Sequence, residues 1–119
     1  MMTFQQVLET VGGTVIVKGS RWDVQEIQHV MACSLMSDVL VTEEDDILLV
    51  TSLASDQTAR TADMVGACGI VLMNDKTPQA ELVALCRELD LPLMTSSLPA
   101  FECCWQLGNR LNGPATPKS

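Results

Sequence analysis

Aromatic residues are nearly missing from this 119-residue chain: two Trp, two Phe and no Tyr, 3% in all. A core must still be filled, and 47% of the residues are apolar. The interior is therefore aliphatic, built from Leu, Val, Ile, Met and Ala. Basic residues are also scarce, seven against fifteen acidic ones, for a net charge of −8. Phosphate backbones and anionic membrane surfaces are repelled by such a chain, and no Lys/Arg cluster offsets this. Nucleic acid and membranes are thus excluded as expected partners. No apolar run reaches the ~18 residues of a membrane span, and no secretory h-region opens the chain. A chain of this length reads as one domain, residues 1–111, followed by a flexible tail over 112–119 rich in Gly, Pro and polar residues.

Cysteine is present but unpatterned. Cys33, Cys68, Cys86, Cys103 and Cys104 are odd in number and scattered, which does not describe a disulfide framework. A reducing cytoplasm is the expected compartment. There is no CxxC pair, and Cys103 and Cys104, adjacent on a predicted helix, point about 100° apart. Cys68 and Cys86 read as small core residues. No metal site and no cofactor is expected. The sole histidine, His29, would need a nearby Ser or Cys and an orienting carboxylate such as Asp23, Glu26 or Asp38 to act in catalysis. A hydrogen-bonded structural or surface histidine is the simpler reading. The phosphate-binding patterns GxxxxGK[ST] and GxGxxG are absent. With no catalytic constellation, the chain reads as a non-enzyme.

What is there centres on Asp46 to Pro78. Ile47–Val50 and Ile70–Met73 are continuous apolar runs, as expected of strands covered on both faces. The residues between them suit one crossover helix, so the strands should be parallel neighbours. Ser55 or Asp56 can cap that helix, which would run to about Ala67 with a small inner face of Ala59, Ala62 and Gly66. Thr77 is placed to cap the next helix with Pro78 in its first turn, and Leu82, Cys86 and Leu89 continue it. Leu91–Thr95 then reads as a strand, and a last helix starts near Pro99, presenting Phe101, Trp105 and Leu111.

Upstream, Thr3 and Gln6 have capping-box spacing, ahead of an apolar face of Phe4, Val7, Leu8 and Val11. Gly12 and Gly13 stop that helix. Thr14–Lys18 is a β-branched strand, and Glu26–Cys33 a second, less regular one. Ser34 can cap a short helix carrying Leu35, Met36, Val39 and Leu40, and residues 42–46 form an acidic turn. The βαβαβα alternation from Asp46 onward makes this an α/β protein: a three-layer, mainly parallel sheet flanked by helices, with scope for an antiparallel edge.

In open α/β sheets, ligands bind beyond the carboxyl ends of the strands. Those ends are Thr51-Ser52 with the following Asp56, Asn74-Asp75-Lys76 and Thr95-Ser96-Ser97. Helix N-termini after them would offer N–H groups to an anion, and Lys76 a positive charge. The competing reading is that these hydroxyls simply cap helices. Trp22 and Trp105, in so aliphatic a chain, belong either in the core or at a subunit contact.

Four segments together resemble the DRTGG domain. Leu35-Met36-Ser37-Asp38-Val39-Leu40 matches a Leu-hydrophobic-Ser-Asp-Val segment. Leu48-Leu49-Val50-Thr51 is followed by Asp56, where the family has an Asp-Arg pair. Gly69-Ile70-Val71-Leu72 leads to Pro78 across the place of a Thr-Gly-Gly turn. Pro92-Leu93-Met94 and then Ala100-Phe101-Glu102 resemble a strand and a Thr-Phe-Glu helix start. The resemblance covers roughly Thr14 to Leu111. Gln57 stands where the arginine belongs, and Met73-Asn74-Asp75 replaces Thr-Gly-Gly.

This resemblance implies a fold similar to the N-terminal domain of HPr kinase/phosphorylase, without its catalytic half. It also implies a regulatory module that associates as a homodimer and binds a partner protein or small ligand. Two alternatives stand beside it: a sensor of an adenine nucleotide or other phosphorylated metabolite, and an accessory protein of an iron–sulfur or hydrogenase electron-transfer system.

Overall fold

A computed structural model describes residues 2–32 and 46–111. The helix expected after Ser34, Cys33, residues 42–45 of the acidic turn and the tail 112–119 lie outside the described residues.

Five strands form one sheet. β5 (Ile47–Thr51), β6 (Gly69–Leu72) and β7 (Leu93–Thr95) run parallel beside β4 (His29–Ala32), and β2 (Thr14–Val17) adds an antiparallel edge on β7. The order is β2-β7-β6-β5-β4. β5 and β6 are buried along their whole length, which is why they read as unbroken apolar runs. Alternation sorts their side chains between two layers. Leu49, Ile70, Leu72 and Leu93 pack on α2 (Asp56–Val65) and α3 (Ala80–Glu88) through Ala59, Ala62, Leu82 and Cys86. Leu48, Val50, Val71 and Met94 face α1 (Phe4–Val11) and α4 (Ala100–Leu111) through Val7, Val11, Cys103 and Leu107. Each fully buried Leu or Ile removed from water stabilises by about 1.5–3 kcal/mol.

A small two-stranded ribbon closes the second layer: β1 (Met2–Thr3) pairs antiparallel with β3 (Glu26–Ile27). The predicted capping box holds, Gln6 N donating to Thr3 Oγ1 at 3.2 Å and Thr3 N to Gln6 Oε1 at 2.9 Å. Gly12 ends α1 at φ 59°, the left-handed conformation glycine tolerates.

Several expectations change. The strand expected over Glu26–Cys33 is broken at Gln28, because β3 pairs with β1 and β4 with β5. Thr77 does not cap α3: the helix begins at Ala80 after Gln79, whose N–H is bound to Ala54 O at 2.9 Å. Gly66 is not on the inner face of α2 but is its left-handed C-cap, φ 73°, and Thr58 and Thr61 are buried beside Ala59 and Ala62. Trp22 lies in the core, stacked on Phe4 at 5.2 Å between ring centroids. Trp105 does not: it is 53% exposed on α4.

Candidate functional site

The parallel register settles where the candidate loops lie. Thr51 is opposite Leu72, and Leu72 is opposite Thr95. The three strands therefore end level, and the loops carrying Thr51-Ser52, Asn74-Asp75-Lys76 and Thr95-Ser96-Ser97 share the carboxyl edge of the sheet. α2, α3 and α4 all start from these loops.

Much of the polar chemistry at this edge is spent inside the protein. Thr51 is fully buried, and its Oγ1 accepts from Leu53 N at 3.2 Å. Ser96 is 3% exposed: its Oγ donates to Val11 O at 2.9 Å and accepts from Leu98 N at 3.2 Å. Asn74 N donates to Leu98 O at 2.8 Å and Asp75 N to Ser96 O at 2.9 Å. The Ser96 hydroxyl thus ties the end of α1 to the β7–α4 loop, and the two backbone N–H groups tie that loop to the β6–α3 turn. Asp56, in the first turn of α2, is paired with Arg60 at 3.0 Å; both are well exposed, so the pair is worth only about 0.3–0.5 kcal/mol. Ser52 and Thr95 are half-buried, and Asn74, Asp75, Lys76 and Ser97 are exposed. Neither Ser55 nor Gln79 caps its helix through a side chain; Thr58 N and Leu82 N donate instead to Ser55 O and Gln79 O, at 3.1 and 3.0 Å, and the N–H groups of the first two residues of α2 and α3 have no side-chain cap.

Asn74 and Asp75 have φ of 62° and 56°. These are the positions at which the resemblance expects two glycines. Asn and Asp are the side-chain-bearing residues that enter the left-handed region most readily. The turn keeps a glycine-type backbone path without glycine.

The opposite edge holds a cleft that the sequence did not announce. It encloses about 260 Å³ and is lined by Arg21, Gln25, Asp46, Asp63, Cys68 and Asp90, among others. Asp46 and Asp90 both have left-handed backbones, φ 55° and 56°. Asp46 accepts from Gln25 Nε2 at 3.0 Å and Gln28 Nε2 at 2.8 Å. Asp90 accepts from Ser20 N at 2.8 Å and from the Ser20 hydroxyl, the hydroxyl first and the N–H second holding its carboxyl below the usual aspartate range. Cys68 donates to Ile47 O at 3.2 Å. Burial, with the charge of Asp46 added, pushes its thiol up to about 12. These residues are far apart in sequence: Asp46, Cys68 and Asp90 precede β5, β6 and β7, and Asp63 lies in α2. No spacing motif joins them, which is why the sequence reading missed the cleft.

Among the described residues no group of three or more His, Cys, Asp or Glu could hold a metal ion. Nor is any helix among them long and apolar enough to cross a membrane.

The fold and its strand-end loops define an α/β domain with a mostly parallel five-stranded sheet. No family model matches the chain, and no curated protein matches it. Among solved structures it is similar to the CBS and DRTGG domains of the regulatory region of Clostridium perfringens pyrophosphatase, a structure complexed with its activator, diadenosine tetraphosphate. The TM-score is 0.70 at 11% identity, over 88% of this chain and 45% of that one. At that identity the likeness is one of fold, and the chain spans less than half the length of its neighbour.

Proposed function

We propose that this chain is a non-catalytic regulatory module that takes a phosphorylated small ligand, an adenine nucleotide foremost, at the carboxyl edge of its sheet, and works as a homodimer. The observation that carries the reading is the convergence of three strand-end loops and three helix starts on one edge. There the first two residues of α2 and of α3 keep N–H groups without a side-chain cap and Lys76 is exposed. Helix N-termini favour anions through both free N–H groups and the helix dipole. Lys76 supplies the cation, Ser52 and Ser97 the hydroxyls, and Asn74 and Asp75 the bend that presents them. Thr51, Thr95 and Ser96 shape the edge from beneath, and Asp56 with Arg60 borders it. The structural neighbour's nucleotide activator supports the choice of ligand class.

Thermal unfolding with diadenosine tetraphosphate, ATP, ADP and AMP tests this. A ligand present at one hundred times its dissociation constant adds about 2.7 kcal/mol of stability, which Lys76→Ala should reduce. Flat melting curves across all four nucleotides would remove the ligand reading.

A further inference from the structure

The cleft at the amino edge holds charges that the fold does not use. Every residue lining its 260 Å³ lies among the described ones. Its charged groups divide into two kinds. The carboxylates of Asp46 and Asp90 are taken, the first by the Gln25 and Gln28 amides and the second by Ser20. Asp63, at the end of α2, has no side-chain hydrogen bond or ion pair among the described residues, and neither has Arg21, on the β2–β3 loop. These two carry opposite charges and line one cleft, yet do not pair with each other. Asp63 also stands against the helix dipole. It lies in the last turn of α2, where the carbonyls are partly negative and a base is favoured, and that turn holds no base. Around these groups, Ala67, Leu91 and Pro92 are buried and, with half-buried Leu89, give the cleft an apolar wall. The acids do not converge as a metal site requires. A concave apolar surface with a few polar groups of fixed sign is the usual form of a small-molecule site.

We infer that this cleft binds a small zwitterion, an α-amino acid with an aliphatic side chain. The ligand's carboxylate meets the Arg21 guanidinium, its ammonium meets Asp63, and its side chain lies against Leu89, Leu91 and Pro92. The assignment follows from what is unspent: one group of each sign and an apolar wall. A guanidinium takes a carboxylate through two parallel N–H···O bonds. An ammonium offers three donors, for which the Asp63 carboxylate and the negative end of α2 are the complement. A ligand with ammonium alone leaves Arg21 unanswered, and one with carboxylate alone leaves Asp63 so. Asp46 and Asp90, although tied, keep the cleft net acidic, three acids against one base, so an amino acid with a second carboxylate is turned away. The site lies at the opposite edge of the sheet from the nucleotide edge proposed above and does not depend on that reading.

Titration calorimetry on the full chain tests this, with L-alanine, L-valine, L-leucine and L-glutamate as probes. The aliphatic three should bind at one saturable site and L-glutamate should not. L-Leucinamide, which lacks the carboxylate, and N-acetyl-L-leucine, which lacks the ammonium, should each bind about tenfold or more weaker than L-leucine. Arg21→Gln should weaken L-leucine by a similar factor and leave L-leucinamide unchanged. Asp63→Asn should weaken L-leucine and leave N-acetyl-L-leucine unchanged. Both side chains are exposed, so both variants should fold, and Asp63→Asn should hold or raise Tm by removing an acid from the negative end of α2. No heat from any aliphatic probe at millimolar concentration overturns the proposal. So does L-leucine binding that survives both substitutions, or L-leucinamide binding as tightly as L-leucine. A fall in Tm for Asp63→Asn overturns it as well, since it would give that carboxylate a role within its own chain.

Discussion

The two edges of the sheet solve the same problem in opposite ways. At the carboxyl edge, loops are tied to one another by a hydroxyl and by backbone N–H groups, with Ser96 at the centre. At the amino edge, loops are held by carboxylates. Asp46 is gripped by two glutamine amides and Asp90 by Ser20, and a cleft remains between them. Residue types that look like ligand groups are also those a fold needs to fasten its loops. For the two serines of the carboxyl edge, burial decides which of the two jobs each performs. Ser96, at 3% exposure, is a fastener, whereas Lys76 and Ser97 remain free to meet solvent.

Each edge contains one glycine forced by close approach, and the pair gives the strongest test of the contrast. A Cβ at Gly13 would lie 2.5 Å from Thr95 O, a backbone atom held in the sheet. A Cβ at Gly69 would lie 2.4 Å from Phe4 Cε1, part of a fully buried ring stacked on Trp22. Overpacking of this kind costs about 1–3 kcal/mol. Gly13→Ala should fall at the upper end, because a carbonyl in a ladder cannot rotate away. Gly69→Ala should cost less, as the ring can tilt at the expense of its stack. Urea unfolding of the two variants measures the difference. Equal losses would mean that the side-chain-packed edge is as rigid as the backbone-tied one.

Ser96→Ala sharpens the comparison at a single atom. Removing Oγ leaves Val11 O and Leu98 N without their partner in a buried setting, a loss of about 1–3 kcal/mol. Protection of the Asn74 and Asp75 amides from hydrogen exchange should fall with it, because both donate to the segment Ser96 anchors. A variant that melts like wild type would remove Ser96 from its place at the centre of that edge.

The legible parts of this fold are those where local chemistry and tertiary need agree. β5 and β6 announce themselves because both faces are buried, leaving no polar position to break the apolar run. The Thr3–Gln6 capping box is local and survives intact. The antiparallel edge strand from Thr14 is also visible in its β-branched run. Where long-range contacts decide, the local signal misleads. Thr77-Pro78 is a good helix start, but Gln79 N is committed to Ala54 O and the helix waits until Ala80. Glu26 to Cys33 reads as one strand because nothing local shows that Glu26 and Ile27 pair with the N-terminus. At the candidate site, the sharing of one edge by three loops follows from the βαβ order and is legible. The burial of Thr51 and Ser96 is not, since Ser96 is sequestered by a carbonyl 85 residues away in sequence.

The smallest expected effect belongs to the amino edge. Ser20, through its hydroxyl and then its N–H, holds the Asp90 carboxyl below its usual range. A carboxyl whose folded pKa is depressed contributes stability that is present above the unfolded value. That stability is lost as pH falls through the folded one. Wild type should therefore lose stability on acidification below about pH 4, with part of that acid limb owed to Asp90. Asp90→Asn keeps the left-handed turn, which Asn accepts, but cannot titrate. Its melting temperature should be slightly lower at neutral pH and its acid limb shallower, and the two proteins should converge at low pH. Asp90 is solvent-exposed, so added salt should shrink the difference. Parallel acid limbs for the two proteins would show that the Ser20–Asp90 tie contributes nothing, and that the amino edge is held by Asp46 and its glutamines alone.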